Sequence, residues 1–266
     1  MDIFRSDRFR RKGMFGRKKR GGRWATNLTL AAAAVVLVSL ALIAGAGPAY
    51  RVGILPLGTA FDALRLGVLV AAVGSGLALI ALSGLVRHRR FGSLPIALGA
   101  LVVGLGSSAI PYMHWQQAQH APPIHDITTD TGDPPAFRAL AEARERAPNA
   151  VDYPGEETAR LQRAAYPDIE PLYLAATPDA VRAAAETTVL AHGWEPAAVE
   201  RDRLEATAVT TWFGFRDDVV IRLREVDGGT RVDVRSASRL GRGDAGANAA
   251  RIRAFLRELE LELQGP

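Results

Sequence analysis

The chain has 266 residues, no cysteine and a formal net charge of +5 from 33 basic and 28 acidic side chains. The missing cysteine excludes disulfide frameworks, thiolate nucleophiles, Cys-type zinc or iron–sulfur sites and a lipobox anchor. The small net charge conceals two unlike halves. Residues 1–113 hold 15 Lys/Arg against three acids (+12), and residues 114–266 hold 18 Arg against 25 acids (−7), an asymmetry that points to membrane association.

Residues 1–24 form a basic leader carrying ten Lys/Arg between Arg5 and Arg23, including all three lysines. Three apolar runs follow at 25–47, 64–86 and 94–113, of 23, 23 and 20 residues. At ~1.5 Å per residue each is long enough to cross a hydrocarbon core of ~30 Å. Arg65 sits at the edge of the second run, and no other Asp, Glu, Lys, Arg or His enters them. None shows the polar stripe at 3.6-residue period that a helix of a soluble core carries. The reading is three transmembrane helices over 25–113.

Flanking positive charge sets orientation, because Lys and Arg near helix ends stay cytoplasmic. The leader is rich in them, the first connection holds only Arg51, and the second holds Arg87, Arg89 and Arg90. The order is in, out, in, so the C-terminal half is expected outside the cytoplasm, periplasmic in a two-membrane cell. Ala44-Gly45-Ala46 resembles a signal-peptidase site, but the apolar run before it is longer than the ~7–15 residues of a secretory signal. The Arg10-Arg11 pair fits a twin-arginine signal poorly. The leader is expected to touch anionic headgroups at ~1 kcal/mol per charge. Transport is disfavoured, since intramembrane ionisable groups are its usual mark. Small residues at four-residue spacing, Ala72/Gly76 and Ala100/Gly104/Ser108, permit close helix contact within the chain or with other envelope proteins. Membrane lipids are the remaining expected partners.

Residues 114–136 lack helical or strand periodicity and read as an extended tether to a domain over 137–266. A short helix is expected at 137–146 and irregular chain at 147–169. A strand at 171–175 precedes Thr177-Pro178, a capping hydroxyl ahead of proline at the first helical position, and a helix to His192. Val181, Ala184, Ala185, Thr188 and Val189 form its apolar face. Strands are predicted at 194–199 (weak), 203–212, 219–226 and 230–236, with Asp227-Gly228-Gly229 as a hairpin turn. A helix at 245–263 carries Ile252, Phe255, Leu256, Leu259 and Leu263 on one side, with Asp244 as its N-cap. The fold class is α+β: three transmembrane helices, then a small antiparallel sheet packed against two helices.

Three segments of the soluble half resemble a known family. They are Pro122-Pro123-Ile124-His125-Asp126-Ile127-Thr128-Thr129-Asp130 continuing to Pro134-Pro135-Ala136-Phe137; Trp212-Phe213-Gly214-Phe215-Arg216-Asp217-Asp218-Val219; and Arg235-Ser236-Ala237-Ser238-Arg239 with Gly241, Asp244, Gly246, Asn248 and Arg251-Ile252. Together they resemble domain-of-unknown-function family 1499 over about 120–262. The resemblance implies a shared fold with membrane helices ahead of it. It implies no reaction and no cofactor.

Candidate chemistry gathers in two places. His114, His120 and His125 with Asp126, Asp130 and Asp133 form the densest polar group, yet their spacing matches no zinc or calcium loop. His125-Asp126 is instead expected to pin the tether through hydrogen bonds. In the second place, a strand end with Ser236 and Ser238, then Arg239 and Arg242, leads into a helix N-terminus, where free amides and a dipole end favour an anion. Against an anion, Asp244 is expected to take those amides, pair with Arg239, and with Asn248 and Arg251 tie the helix to the sheet. The hypothetical ligand-binding set is therefore His125, Asp126, Ser236, Arg239, Asp244, Asn248 and Arg251. No G-x-S-x-G elbow is present. Asp217-Asp218 reads as an edge-strand solubility device, since neighbours on a strand face opposite ways. Trp212, Phe213 and Phe215 read as core beside a bulge at Gly214, with an exposed aromatic contact as the alternative. The balance of −7 disfavours nucleic acid, and no metal or cofactor is implied. A non-catalytic binding or assembly domain in the envelope is the leading expectation. The alternative is an enzyme or lipid/anion-handling site centred on His125, Arg239 and Asp244.

Overall fold

The computed structural model describes residues 22–264; most of the basic leader lies outside the described residues. Three helices are long and apolar enough to cross a membrane. They are α1 (Arg23–Arg51), α2 (Leu57–Arg87) and α3 (Leu94–His120), the last entered through a 3-10 turn at Phe91–Ser93. The chain divides into two compact units, one comprising the chain through Ser39 with Leu69–Gly106, the other Leu40–Val68 with the chain from Ser107 onward.

In the first unit the helices meet through small side chains. Ala32, Val36, Ala78 and Ala100 form one buried cluster, and Ala25, Leu85 and Ala97 another. Gly74 packs on Val36 and Gly104 on Ser75, where a Cβ would collide. Without a hydrophobic drive between helices in lipid, such close approach supplies the contact energy. The packed face of α2 is Ala71, Gly74, Ser75 and Ala78; Ala72 is exposed and Gly76 meets nothing. Of the stripes expected from sequence, Ala100/Gly104 thus packs within the chain and Ala72/Gly76 faces away from it. Leu37, Leu69, Leu79, Val102 and Leu105 are exposed, as lipid-facing residues should be.

The second unit holds an antiparallel sheet of six strands: β1 (Asp126–Thr128), β2 (Leu172–Leu174), β3 (Glu195–Val199), β4 (Arg203–Val209), β5 (Arg216–Val226) and β6 (Gly229–Ser238). The order is β1-β6-β5-β4-β3, and β2 also pairs with β6. Its other helices are α4 (Ala141–Glu145), α5 (Glu156–Ala165), α6 (Pro178–Ala191) and α7 (Ala247–Gln264). Period-2 alternation turns Leu204, Ala206, Val219, Ile221, Leu223, Val232 and Val234 to one face. There they meet Val181, Ala185 and Val189 of α6 and Ile252, Phe255 and Leu259 of α7. Burying each such side chain contributes roughly 1.5–3 kcal/mol.

Local signals place the α6 start and the hairpin. Thr177 accepts a hydrogen bond from Ala180 N at 3.4 Å, with Pro178 next in the chain. Val226 pairs with Gly229 across Asp227-Gly228, Gly228 taking φ +84°. At Gly229 the carbonyl of Leu174 on β2 occupies the space of a Cβ.

Long-range contacts reshape three expected segments. The stretch read as a tether carries the end of α3 to His120 and all of β1, which pairs with β6 from Asp126↔Ala237 to Thr128↔Arg235. The stretch read as irregular contains α5. Its Gln162 lies beside β1, accepting from Thr128 N at 3.0 Å and donating to Thr128 O at 2.6 Å, so a side-chain amide stands in for a neighbouring strand. Finally, β4 stops at Val209 rather than 212, and the chain turns at Gly214 (φ +69°). The aromatic residues of that turn join no sheet core. Phe213 instead packs with Ala46 and Ala60 on the ends of α1 and α2, alongside Trp212, Phe215 and Tyr50.

Candidate functional site

Each face of the sheet holds its own polar system. On the α7 side, at the end of β6, Asn248 is the hub. It accepts from Ser236 Oγ (2.7 Å) and donates to the His125 carbonyl (2.9 Å) and Ser238 Oγ (3.0 Å). Arg251 donates to Ser236 Oγ at 2.9 Å and to Asp217 at 2.6 Å. Asp244 accepts from Gly246 N at 2.8 Å and Asn248 N at 2.7 Å, capping α7. Burial nevertheless raises the Asp244 pKa above the ordinary aspartate value, and those two amides only partly offset it.

The face away from α6 and α7 is covered by residues 129–153. Phe137 and Leu140 pack there on Val220 and Ala237, and between them lie buried charges. Arg235 meets Asp126 through two bonds, 2.9 and 2.8 Å, and also donates to the carbonyls of Pro135 and Val151. Arg144, fully buried, reaches Asp218 at 3.1 Å and the Ala237 and Ala150 carbonyls at 2.9 Å each. Asp218 also accepts two bonds from Arg239, 2.9 and 2.8 Å, and one from Thr207 Oγ1 at 2.9 Å. The guanidiniums of Arg144 and Arg235 each lie 4.7 Å from the Phe137 ring centroid, two cation–π contacts on one ring. Glu205 fastens the cover by accepting from Arg138 N and Leu140 N at 2.8 and 2.9 Å. Burial lowers the Arg144 pKa, and the Asp218 carboxylate raises that of Arg239. Burial also pushes the Tyr153 hydroxyl up to about 12.

The predicted residues are therefore divided. His125, Ser236, Asp244, Asn248 and Arg251 meet on the α7 side, His125 through its carbonyl. Asp126 and Arg239 lie on the opposite face, in ion pairs with Arg235 and Asp218. Arg239 is thus tied to Asp218, not to Asp244 as expected. Asp217 and Asp218 do face opposite ways, but both are buried and paired on an inner strand, which replaces the solubility reading. Neither serine bonds an imidazole. Asp130 and Asp133 pair with Arg231 and Arg222, and among the described residues no group of three or more His, Asp or Glu could hold a metal ion.

Sequence reasoning missed Arg144 and Glu205, took Asp218 for a solubility device and gave Phe137 no role of its own. A signal existed: the outward positions of β5 and β6 alternate charges with the apolar Val220 and Ala237, which a solvated face does not need.

A second feature lies at the end of the first helical hairpin. Phe213 stacks on Phe61 and Phe215 with centroids 5.3 and 5.2 Å apart, and Tyr50 lies 5.8 Å from Phe215. Trp212 Nε1 donates to the Ala44 carbonyl at 3.2 Å, and Arg51 donates to the Thr211 carbonyl at 3.0 Å. Gly47 lies under the indole, where a Cβ would collide.

Together these features define an α+β domain with a covered ionic layer, carried behind three membrane-length helices. The chain belongs to the family described as protein of unknown function (DUF1499), whose model matches residues 126–259. No curated protein and no solved structure matches it.

Proposed function

We propose that the chain is a multi-pass protein of the cytoplasmic membrane that presents its C-terminal domain outside the cytoplasm as a binding or assembly module without catalysis. The observation that carries this reading is the seat of Trp212, Phe213 and Phe215 on the α1–α2 connection. Three crossings put the start of the domain on the same side as that connection, and the contact agrees. The connection is also the charge-poor one, with Arg51 against Arg87, Arg89 and Arg90 in the second, the mark of a non-cytoplasmic loop. Support for a non-catalytic role comes from the candidate side chains: Arg239, Asp126, Ser236, Asn248 and Arg251 direct their polar groups to one another or to neighbouring chain.

The native chain has no cysteine, so a single Asp227→Cys in the hairpin turn gives an unambiguous topology probe. A membrane-impermeant maleimide should label it in intact cells, or in spheroplasts where an outer membrane blocks access. Labelling only after lysis would overturn the orientation.

A further inference from the structure

An open cleft of about 410 Å³ lies between the residues before β1, the chain leading into α5, and the β6–α7 loop. Pro123 and Pro154 give it apolar walls; His125, Asn149, Thr158 and Arg242 give it polar ones. Its volume falls within the ~300–1,000 Å³ of small-molecule sites.

Arg242 differs from the other arginines of this region. Arg235, Arg239 and Arg251 are each held by a carboxylate, whereas exposed Arg242 has neither ion pair nor hydrogen bond among the described residues. The walls around it are fixed: Asn149 donates to the Ser238 and Gly241 carbonyls, both at 3.0 Å, so the loop bearing Arg242 is tied down on each side of Arg239. The His125 backbone is likewise held, its carbonyl accepting from Ser238 N and Asn248 Nδ2. In its ring, Nδ1 is buried without a partner among the described residues. A buried ring nitrogen left in this state costs free energy until something bonds it. The first turn of α5, which carries Thr158 into the cleft, has no side-chain cap at Gly155. The nearest acids of that turn, Glu156 and Glu157, are paired with Arg163 and Arg160.

We infer that this cleft binds a phosphate oxyanion, with Arg242 as its charged donor and the His125 ring and Thr158 hydroxyl as further partners. A planar guanidinium matches phosphate oxygens in pairs, and the volume leaves room beside the phosphate for a small polar group over the two prolines. The oxyanion belongs either to a free phosphorylated molecule or to a phospholipid headgroup. The inference rests on the binding-module reading, and the two fail separately, because the aromatic seat and the side of the membrane involve none of these residues.

The test uses the full chain in alkyl maltoside micelles, whose detergent carries no phosphate. One arm titrates inorganic phosphate by calorimetry. The other adds a photoreactive phosphatidylglycerol and maps adducts by mass spectrometry. Binding in the first arm or an adduct on the 122–125 or 239–246 peptides in the second is expected. Arg242→Ala should weaken either signal about tenfold or more, Arg242→Lys should retain part of it, and Arg257→Ala, an exposed arginine of α7, should leave it unchanged. A signal in the first arm alone assigns a soluble phosphorylated ligand; a signal in the second assigns a headgroup. No signal in either arm, or one equal in Arg242→Ala of unchanged thermal midpoint, would overturn the inference.

Discussion

Asp218 is fully buried and accepts four hydrogen bonds at once, two from Arg239 and one each from Thr207 and Arg144, whose guanidinium lies over the Phe137 ring. A buried ion pair of this kind is not necessarily stabilising against an apolar replacement, because desolvation offsets the attraction. Removing one partner, however, strands a charge and costs ~3–5 kcal/mol. Asp218→Asn is therefore expected to destabilise the domain on that scale in thermal or urea unfolding of the purified full chain. Asp62→Asn, which breaks an Asp62–Arg65 pair exposed by 74% and 79%, should change stability by under ~0.5 kcal/mol. Asp244 gives a pH test with a definite sign. Burial raises its folded pKa above the unfolded value, so between those two values the folded state binds more proton than the unfolded one. Stability from this group then increases as pH falls through that window and decreases as pH rises through it. Asp133 and Asp168 act oppositely, their pKa values being lowered by hydrogen bonds from Arg224 and Arg253. Subtracting the melting profile of Asp244→Asn from that of the native chain cancels those two. The remainder should favour the native chain more as pH drops toward the ordinary aspartate value, and a flat difference would refute the assignment.

At the scale of elements, what could be read in advance depended on whether the cause was local. The start of α6 follows from Thr177-Pro178, its buried face from Val181, Ala184, Ala185, Thr188 and Val189, and the hairpin from Asp227-Gly228, all within a few residues. The membrane-length helices follow from unbroken apolar runs. By contrast, β1 is three residues long and exists because β6 and Gln162 satisfy its backbone on both sides; no periodicity can show that. The same holds for the early end of β4. Alternation persists through Trp212, yet the backbone leaves the sheet because Phe213 and Phe215 find Tyr50 and Phe61. This turn yields an element-scale prediction at Gly47. A side chain there displaces the Trp212 indole, so Gly47→Val should make residues 209–216 sensitive to limited proteolysis. The melting of the domain should shift by no more than ~0.5 kcal/mol, since its core lies elsewhere.

For the whole molecule, the division into an apolar, basic first half and an acidic second half was plain from charge and hydropathy, and so was the α+β class. The candidate site was legible only in part. Ser236, Asp244, Asn248 and Arg251 cluster because they lie within sixteen residues of chain, at one strand end and one helix start. The pairs Asp126–Arg235 and Arg144–Asp218 join residues 109 and 74 apart, and a sequence gives residue types at such separations without saying which of many Arg–Asp combinations forms. The covering segment 129–153 hid the matter further, because charges on the outward face of a sheet ordinarily mean solvent.

The domain rests through its aromatic turn on the α1–α2 connection, and the proposed function puts that seat on the non-cytoplasmic side. The most direct measurement places cysteines at Tyr50→Cys and Phe215→Cys, positions whose native rings are 5.8 Å apart, and treats intact cells with a short, membrane-impermeant bifunctional maleimide. The pair is expected to crosslink within one chain, and to stop doing so when Gly47→Val is added. Single labels without a crosslink would contradict the seat, and a crosslink appearing only after lysis would contradict the side.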